Sequence, residues 1–422
     1  MITTDRAGAP ATVLVIGGGV IGLCCAYSLR RRGHEVTLVD SGDLGQGASA
    51  GNGGWICPSL SGPVPAPGLL LHSLGWLLRP GSPLRIHATL EPSFAGWLLA
   101  FARHCNARAY GRGLEAVGEM ALSAPERFRA LVADGVQFER HELGVLMLFS
   151  SRALADAEMA ELQWMANQGG APPVLLEGAA LQEAEPAVGR TRLTGVLAPG
   201  DCHVRPESLT EGLAAWLREH GVDLLPATSV TRLGLGGEAV QFAETEKGER
   251  LYADAFVLAA GVETGRLARQ LRVRIPLRSG KGYSVTFPAA SPALNHALYL
   301  SEAKVAISPY DGAVRVLGTM ELGTESVAIN PGRVEAMLRS SRRYLPELAL
   351  EGEGVTWAGM RPMVPDGLPV IGKPTPDANI VIATAHAMLG VTLGPATGEM
   401  VAELLESRPA IQPPAALSPV RF

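Results

Sequence analysis

The sequence predicts an α/β protein in which a domain with a parallel sheet alternates along the chain with a domain built on an antiparallel sheet. Three observations support this: a strand, glycine turn and helix at the start of the chain, a second glycine turn before a helix near residue 390, and short strand-like runs between residues 281 and 320. With 422 residues the chain exceeds one ordinary domain, and its 47% of apolar residues is enough for a large core.

The N-terminal segment predicts one βαβ unit. Residues 11–16 (ATVLVI) are apolar and rich in β-branched side chains, as is typical of a strand buried on both faces. A glycine-rich turn follows at residues 17–22, and then a helical stretch that ends at Gly33. Residues 35–40 (EVTLVD) predict the second strand, which ends at Asp40.

This context makes the turn a predicted dinucleotide site of the Rossmann type. Its glycines would allow a tight turn and a close approach of a pyrophosphate to the helix N-terminus. Asp40 is placed to accept hydrogen bonds from an adenosine ribose. The predicted contact residues of this unit are Gly17, Gly19, Val20, Ile21, Gly22, Asp40 and Ser41.

Two further glycine-rich segments favour FAD over NAD, because they offer backbone amides beyond the nucleotide turn and a helix start for the flavin ring. An NAD enzyme would not need the second of them. The predicted contacts are Gly47, Ala48, Ser49, Asn52, Gly53 and Gly54 in the first segment and Leu389, Gly390, Val391 and Thr392 in the second.

The other predicted elements follow from periodicity and from the position of proline and glycine. Helices are predicted at residues 94–104, 124–133 and 206–220, and the last helix is predicted to begin near residues 394–395. Strands are predicted at residues 222–225, 255–260 and 379–384, and antiparallel strands at residues 281–320.

Charge and cysteine usage exclude other classes. The net charge of −5 argues against a nucleic-acid partner, because phosphate contacts need a basic face. The five cysteines include no C-x-x-C pair, which favours reduced thiols in a cytoplasmic protein and suggests no metal site. No signal peptide or transmembrane segment is predicted, and the apolar segment 68–78 is the candidate for a peripheral contact with the inner face of the plasma membrane.

Five motifs together resemble the FAD-dependent D-amino-acid dehydrogenases of the D-amino-acid oxidase and glycine oxidase superfamily. They are residues 17–40, residues 47–54, Lys281-Gly-Tyr283, Gly359-Met-Arg-Pro362 with residues 365–372, and residues 386–398. The resemblance implies a discontinuous FAD-binding domain (1–90, 198–278 and 357–422) interleaved with a substrate domain (91–197 and 279–356). It also implies cofactor contacts at Val230, Ala260 and Gly261.

The resemblance assigns three catalytic candidates. Arg361 would bind the substrate carboxylate, for which its planar fork of donors is suited. Tyr283 would place a hydroxyl near the substrate, and His386 would lie beside the flavin; a packed core tyrosine and a histidine without catalytic duty are the alternatives. The chain departs from related amine oxidases at Ala306, where they carry a tyrosine, so Tyr299 and Tyr310 are candidates for a second hydroxyl.

The implied activity is oxidative deamination of a D-amino acid by hydride transfer from Cα to FAD, which gives an imino acid that hydrolyses to an oxo acid and ammonia. D-proline or a hydroxylated D-proline is one substrate within this interpretation, and the expected acceptor is a quinone or the respiratory chain. Two alternatives stay open: an oxygen-dependent glycine or sarcosine oxidase, and a flavin-binding redox sensor without turnover, against which Arg361 argues.

Overall fold

A computed structural model describes residues 11–70, 81–406 and 413–422. Two large sheets organise these residues, one mostly parallel and one mostly antiparallel, so the predicted α/β fold class is confirmed. Most of the segment proposed for membrane contact, residues 71–78, lies outside the described residues. Within them, no helix has both the length and the apolarity that a membrane crossing requires.

The first sheet has six strands in the order β10-β2-β1-β14-β23-β22, all parallel except β22. In chain order these strands are β1 (Thr12–Ile16), β2 (Glu35–Val39), β10 (Asp223–Leu225), β14 (Ala255–Leu258), β22 (Val370–Gly372) and β23 (Ile380–Thr384). Both faces of the sheet are buried: Val13 and Val15 pack towards helices, and Leu14 and Ile16 pack towards a small antiparallel sheet. Burial on both faces explains the continuous apolar runs in the sequence.

Three helices cover the first face of this sheet: α1 (Val20–Arg31), α7 (Pro206–Glu219) and α10 (Gly390–Leu405). Helices α1 and α10 cross at Cys24. A Cβ atom at Gly398 would lie 2.3 Å from the carbonyl oxygen of Cys24, and one at Gly394 would lie 3.1 Å from its Sγ atom. The two glycines therefore let α10 approach α1 closely, and this contact fixes the N-terminus of α10 beside the glycine turn of α1.

The second sheet has nine strands, with eight in the order β21-β15-β19-β18-β17-β6-β8-β7 and β4 paired to β19. Its pairs are antiparallel except β17 with β6 and β19 with β4. The strands are β4 (Leu84–Ile86), β6 (Val145–Phe149), β7 (Val174–Glu177), β8 (Thr194–Ala198), β15 (Arg278–Phe287), β17 (Ala297–Leu300), β18 (Val305–Tyr310), β19 (Ala313–Leu322) and β21 (Val355–Met363).

The two faces of the nine-stranded sheet have different partners. Val305, Ile307 and Val316 pack with Met337 of helix α9 (Pro331–Tyr344), and we call this side the helix face. Alternate residues of the same strands point to the opposite side, towards the glycine-rich segment 47–54, and we call this side the loop face.

The remaining elements connect and cover these sheets. The small sheets contain β3 (Trp55–Ile56), β5 (Arg140–His141) and β9 (Cys202–Val204); β11 (Val230–Gly236), β12 (Ala239–Thr245) and β13 (Arg250–Tyr252); and β16 (Ala289–Ser291) and β20 (Ala349–Glu351). The other helices are α2 (Pro92–His104), α3 (Ala107–Leu122), α4 (Ala124–Ala133), α5 (Arg152–Ala166), α6 (Gly178–Ala184) and α8 (Thr264–Ala268).

The last helix begins at a different residue from the one that the sequence predicted. The last helix starts at Gly390, about one turn before the predicted start, and Pro395 lies inside it. Proline favours the first helical turn, which is why the sequence predicted a helix start at Pro395. The amide of Leu393 already donates to the carbonyl oxygen of Leu389, so the helix is established before the proline removes one donor.

Candidate dinucleotide and substrate site

The glycine turn at the carboxyl end of β1 has no room for side chains. Gly17 has φ +113°, and a Cβ atom there would lie 2.3 Å from the carbonyl oxygen of Ala259. A Cβ atom at Gly22 would lie 1.8 Å from the carbonyl oxygen of Gly17. Since both obstacles are backbone atoms, glycine is required at both positions. The turn brings the backbone and the first amides of α1 to the edge of the parallel sheet, where a pyrophosphate binds in folds of this type.

Asp40 and Ser49 lie at this turn. The carboxylate of Asp40 accepts hydrogen bonds from the amides of Gly18 (2.6 Å) and Gly42 (2.8 Å). The Ser49 hydroxyl oxygen accepts one from the amide of Val20 (3.0 Å), in the first turn of α1. The structure therefore brings Asp40 and Ser49 to the predicted phosphate and ribose region. The predicted contacts Ile21 and Ser41 are half-buried and exposed, respectively.

Strand β14 of the parallel sheet leads into two of the other predicted contacts, and β11 of a small antiparallel sheet supplies the third. Ala260 and Gly261 follow β14, and the carbonyl oxygen of Gly261 accepts a hydrogen bond from Thr384 Oγ1 (2.8 Å). Val230 begins β11 and packs in the core cluster that contains Ile16 and Val39. The carboxyl ends of β1, β2, β14 and β23 thus meet where the sequence predicted the cofactor.

Carbonyl oxygens of the glycine-rich segment 47–54 accept hydrogen bonds from side chains on the loop face of the nine-stranded sheet. Ser308 Oγ and Tyr310 Oη both donate to the carbonyl oxygen of Gly53, at 2.8 and 2.9 Å. Arg315 Nη1 donates to the carbonyl oxygens of Asn52 (2.8 Å) and Ala50 (3.1 Å). The sheet therefore fixes the path of this segment.

The segment 47–54 also lies very close to side chains on the loop face of the sheet. A Cβ atom at Gly51 would lie 1.9 Å from the ring of Trp357, and one at Gly53 would lie 3.1 Å from Leu317. Asn52 Oδ1 accepts a hydrogen bond from the amide of Gly54 (2.7 Å), while Gly47 and Ala48 are exposed. The glycines at 51 and 53 let the segment lie directly on the sheet.

Arg315 is a buried cation in this contact. Its guanidinium also donates to Thr286 Oγ1 (2.9 Å) and forms an ion pair with Glu207 of α7. Only 4% of its surface is exposed. Arg315 thus connects the sheet, the glycine-rich segment and α7. Its role could not be predicted from the sequence, because one arginine in a strand carries no local signal.

The segment before α10 places His386 in the interior. Ala385 and Ala387 both have positive φ (60° and 47°), a conformation that non-glycine residues seldom adopt. His386 is 3% exposed, and its Nε2 atom lies 3.0 Å from Thr397 Oγ1. Burial lowers the pKa of His386 to about 3, so the imidazole is neutral at physiological pH. The described contacts of this side chain are internal, so its predicted place beside the flavin stays a prediction.

The first turn of α10 is joined to β3. Thr392 Oγ1 donates to the carbonyl oxygen of Trp55 (2.9 Å) and lies 3.4 Å from the amide of Cys57. Val391 is buried, and Leu389 and Gly390 are half-buried. This places the second predicted glycine segment next to the end of the first one.

Arg361 lies on the loop face, beside this segment. The amide of Ala387 donates to the carbonyl oxygen of Pro362 (3.1 Å), which joins the end of β21 to the residues before α10. Arg361 Nη1 donates to the carbonyl oxygen of Thr319 (3.2 Å). The guanidinium is half-buried, and burial lowers its pKa to about 10, so it is charged at neutral pH.

No carboxylate among the described residues forms an ion pair with Arg361, whose polar contacts are Thr319 and the sulfur of Met320. A buried charge without a counter-ion is costly unless a ligand supplies the opposite charge. The guanidinium fork matches a carboxylate in geometry and in charge. This arrangement is therefore suited to an anionic ligand.

Tyr283 lies on the opposite face, and this corrects the prediction of a hydroxyl near the substrate. In the pairing of β15 with β21, Gly280 is opposite Arg361, so Tyr283 points to the helix face. Its hydroxyl donates to Glu321 Oε1 (2.9 Å), and only 1% of the residue is exposed. The alternative interpretation, a packed core tyrosine, describes its position.

The two tyrosines offered for the second hydroxyl differ in their surroundings. The hydroxyl of Tyr310 donates its hydrogen bond to the carbonyl oxygen of Gly53. Tyr299 lies on the loop face opposite Ala306, and its ring stands edge-on to Trp55 at a centroid distance of 6.0 Å. Of the two, Tyr299 is therefore the one that shares the face of Arg361 without being held to the glycine-rich segment.

One group of possible metal ligands lies elsewhere among the described residues: Glu139, His141 and Asp311. Glu139 already accepts hydrogen bonds from His141 Nε2 (2.8 Å) and from the amide of Asp311 (2.7 Å). Arg205 lies 3.7 Å from the same carboxylate. Hydrogen bonds and a neighbouring cation account for this group, and we assign no metal to it.

A glycine turn of this shape at the edge of a parallel sheet, with an uncompensated arginine nearby, defines a dinucleotide-binding protein with a separate site for an anionic group. The model of the FAD-dependent oxidoreductase family matches residues 12–404, and the chain belongs to that family. FAD is its cofactor and it is an oxidoreductase, as the sequence predicted. The lack of space at Gly17 and Gly22 fits the tight turn and the close helix–strand packing of a dinucleotide site, whereas Gly19, the glycine that such a site places beside the pyrophosphate, has only Ser49 Oγ near its Cβ position, at 3.4 Å.

Similar proteins agree with this assignment. A D-amino acid dehydrogenase of Methylobacterium nodulans is 35% identical over 403 residues, which cover 94% of this chain and 95% of that protein. One of Cereibacter sphaeroides is 33% identical over 407 residues, which cover 94% and 92%. The glycine oxidase of Geobacillus kaustophilus has the same fold, with a TM-score of 0.77 at 22% identity over 98% of this chain and 99% of that one.

Proposed function

We propose that this enzyme oxidises D-amino acids and passes the electrons to an acceptor other than oxygen, such as a quinone. The observation that carries the proposal is the uncompensated guanidinium of Arg361 beside the residues that precede α10. The relatives named D-amino acid dehydrogenases, which align over nearly the whole chain, support the stereochemistry and the acceptor.

In this proposal Arg361 binds the substrate carboxylate with two parallel hydrogen bonds. The half-buried position of the guanidinium strengthens this contact, because fewer water molecules compete for its donors. A fixed carboxylate leaves the Cα–H bond few orientations, and such positioning lowers the barrier to hydride transfer. When bound, FAD would supply the redox chemistry as the hydride acceptor.

The described side chains need to supply no strong base if the substrate amine is neutral when it binds. The imino acid product then hydrolyses in water to an oxo acid and ammonia. A quinone acceptor would bring the enzyme to the cytoplasmic surface of a membrane, and we include this peripheral contact in the proposal.

Anaerobic reduction of the bound flavin tests the proposal directly. The FAD-loaded protein is mixed with matched D- and L-amino acids, including D-proline and hydroxy-D-proline, and with glycine and sarcosine. We expect bleaching of the flavin absorbance by D-amino acids, and faster reoxidation by a quinone or dye than by oxygen. Bleaching by glycine or sarcosine alone, with rapid peroxide formation, would instead assign an amine oxidase. If none of these compounds bleaches the flavin, the protein binds flavin without turnover of these substrates.

A further inference from the structure

A row of side chains crosses five strands of the loop face. The register aligns Trp357, Ser284, Leu317, Ala306 and Tyr299, on strands β21, β15, β19, β18 and β17. Residues directly opposite in neighbouring strands point to the same face of a sheet. The row therefore shares its face with Arg361.

Ala306 is the smallest side chain between two large ones in this row. Leu317 and Tyr299 stand on either side of it, and two strand spacings separate them by about 10 Å. All three are half-buried, whereas Val305 and Ile307, which flank Ala306 on the helix face, are 2% and 0% exposed. The side chain of Ala306 is therefore shorter than its two neighbours and partly exposed on the loop face, and we call the space between Leu317 and Tyr299 above it the recess.

The walls of this recess are apolar. Leu317 forms one side, and the ring of Tyr299, with Trp55 edge-on against it, forms the other. The indole Nε1 of Trp55 donates to Ser308 Oγ (2.8 Å), so the single N–H donor of this ring already has its partner. Lys304 stands at the rim, where its ammonium group lies 5.5 Å from the centre of the Tyr299 ring and its side chain is exposed.

The recess lies within one substrate length of Arg361. Arg361 Nη1 contacts the carbonyl oxygen of Thr319, two residues from Leu317 along β19. The strand is irregular at Thr319, which has φ +62°, so the two residues are at most about 7 Å apart. The segment 47–54 covers Leu317 from above at Gly53. A carboxylate bound by Arg361 would therefore leave the substrate side chain directed along the sheet to Ala306.

We propose that Ala306 is a specificity-determining residue, and that the recess above it selects D-amino acids with large apolar or aromatic side chains. This inference rests on the proposed function. Aromatic rings would pack against Tyr299 and Trp55 in offset or edge-to-face arrangements, and branched aliphatic chains would fill the space over the alanine methyl group. A small side chain would leave the recess unfilled and gain less binding.

The test compares substrates of different size on the FAD-loaded enzyme with a dye as acceptor. We expect kcat/KM for D-phenylalanine to exceed that for D-alanine by about tenfold or more in the wild type. Ala306→Leu fills the recess, so the ratio of the two kcat/KM values should fall by about tenfold or more. Ala306→Val should shift the ratio less, in the same direction, and it replaces the leucine variant if that variant loses FAD.

The control is Ala239→Leu, at a half-buried alanine of β12 in another sheet, which should keep the wild-type ratio. An unchanged ratio in the FAD-loaded Ala306 variants, or a wild type that prefers D-alanine, would overturn the inference while leaving D-amino acid oxidation in place. If neither D-amino acid reduces the wild-type flavin, the proposed function fails, and this inference fails with it.

Discussion

Gly282 lies directly beneath the guanidinium group of Arg361: a Cβ atom at Gly282 would be 2.2 Å from Nη2 and 2.3 Å from Nη1. The two residues belong to the adjacent strands β15 and β21, in which Gly280 is opposite Arg361 and Gly359 is opposite Gly282. Because three glycines leave this part of the loop face without side chains, the guanidinium can lie along the sheet and reach the carbonyl oxygen of Thr319.

Gly282→Ala should therefore displace Arg361 while preserving the fold. The added methyl group meets the end of a flexible side chain and no backbone atom, so the guanidinium moves and the strand does not. We expect KM for D-amino acids to rise about tenfold and FAD content to stay at the wild-type level, since one charge-assisted contact is weakened. Steady-state kinetics and flavin absorbance measure the two quantities. Gly96→Ala, on a helix position with open space, is the control, and an unaltered KM in Gly282→Ala would contradict the prediction.

Gly22→Ala should remove FAD. Its Cβ atom would lie 1.8 Å from the carbonyl oxygen of Gly17, and this obstacle is backbone, so the turn itself must shift. We expect much lower flavin occupancy after purification and a loss of about 1–3 kcal/mol in the free energy of unfolding, as for overpacked sites. Gly111→Ala makes the same change in a helix with open space and should retain FAD. A Gly22→Ala protein with full flavin occupancy would show that the turn tolerates a side chain.

Arg315→Lys should weaken FAD binding. Lysine keeps the charge, but its three donors lie on one nitrogen and cannot serve Glu207, Ala50, Asn52 and Thr286 at once, as the three guanidinium nitrogens do. We expect the dissociation constant of FAD, measured by fluorescence titration of the apoprotein, to rise about tenfold. Arg232→Lys, in an exposed ion pair with Glu244, is the matched control. Equal FAD affinity in the two variants would mean that the segment 47–54 does not depend on Arg315.

The sequence could predict the features that depend on local pattern. The strand, turn and helix around Gly17 and Gly22 are contiguous, and so the fold of the first unit follows from spacing alone. Arg361 was found through a motif. Tyr283 was misplaced because the face that a strand residue occupies depends on its register with neighbouring strands, which a short motif does not contain. Arg315 was missed because its partners lie 29 to 265 residues away along the chain, on another strand, in the glycine-rich segment and on a helix.

The stability of the protein should decrease in acid because of His386. Burial lowers the pKa of this imidazole to about 3 from an unperturbed value of about 6.5, so between these values the unfolded chain binds a proton that the native state excludes. The free energy of unfolding therefore falls as pH falls from 6.5 towards 3, by up to about 1.4 kcal/mol per pH unit. His203, with a pKa lowered to about 4 by burial, acts in the same direction.

His386→Asn should make this pH dependence less steep, because one of the two histidines no longer titrates. Urea unfolding of the FAD-saturated protein between pH 4.5 and pH 7 measures the slope. His220→Asn, at an exposed position after α7, is the control substitution. If the His386 variant has the wild-type slope, protonation of this side chain does not contribute to acid unfolding.

The central prediction concerns Arg361 itself. If the guanidinium binds the carboxylate in a forked arrangement, Arg361→Lys keeps the charge, loses one of the paired hydrogen bonds and should already raise KM. Arg361→Ala should weaken substrate binding by roughly 1.5–3 kcal/mol and also slow flavin reduction, because the Cα–H bond is no longer held in one orientation. FAD content and melting temperature should stay near the wild-type values, since no carboxylate of the described residues depends on this cation.

The measurement is the anaerobic rate of flavin reduction against the concentration of a D-amino acid, for the wild type and both variants. At low substrate concentration this rate should be highest for the wild type, intermediate for Arg361→Lys and lowest for Arg361→Ala. Arg421→Lys is the matched control, because Arg421 is a half-buried arginine whose partner is Asp366, 2.8 Å away. A flavinated Arg361→Ala protein that is reduced at the wild-type rate at low substrate would refute the carboxylate site. Loss of FAD or unfolding in both variants would instead show that the cation supports the end of β21, where the carbonyl oxygen of Pro362 holds the residues that lead into α10.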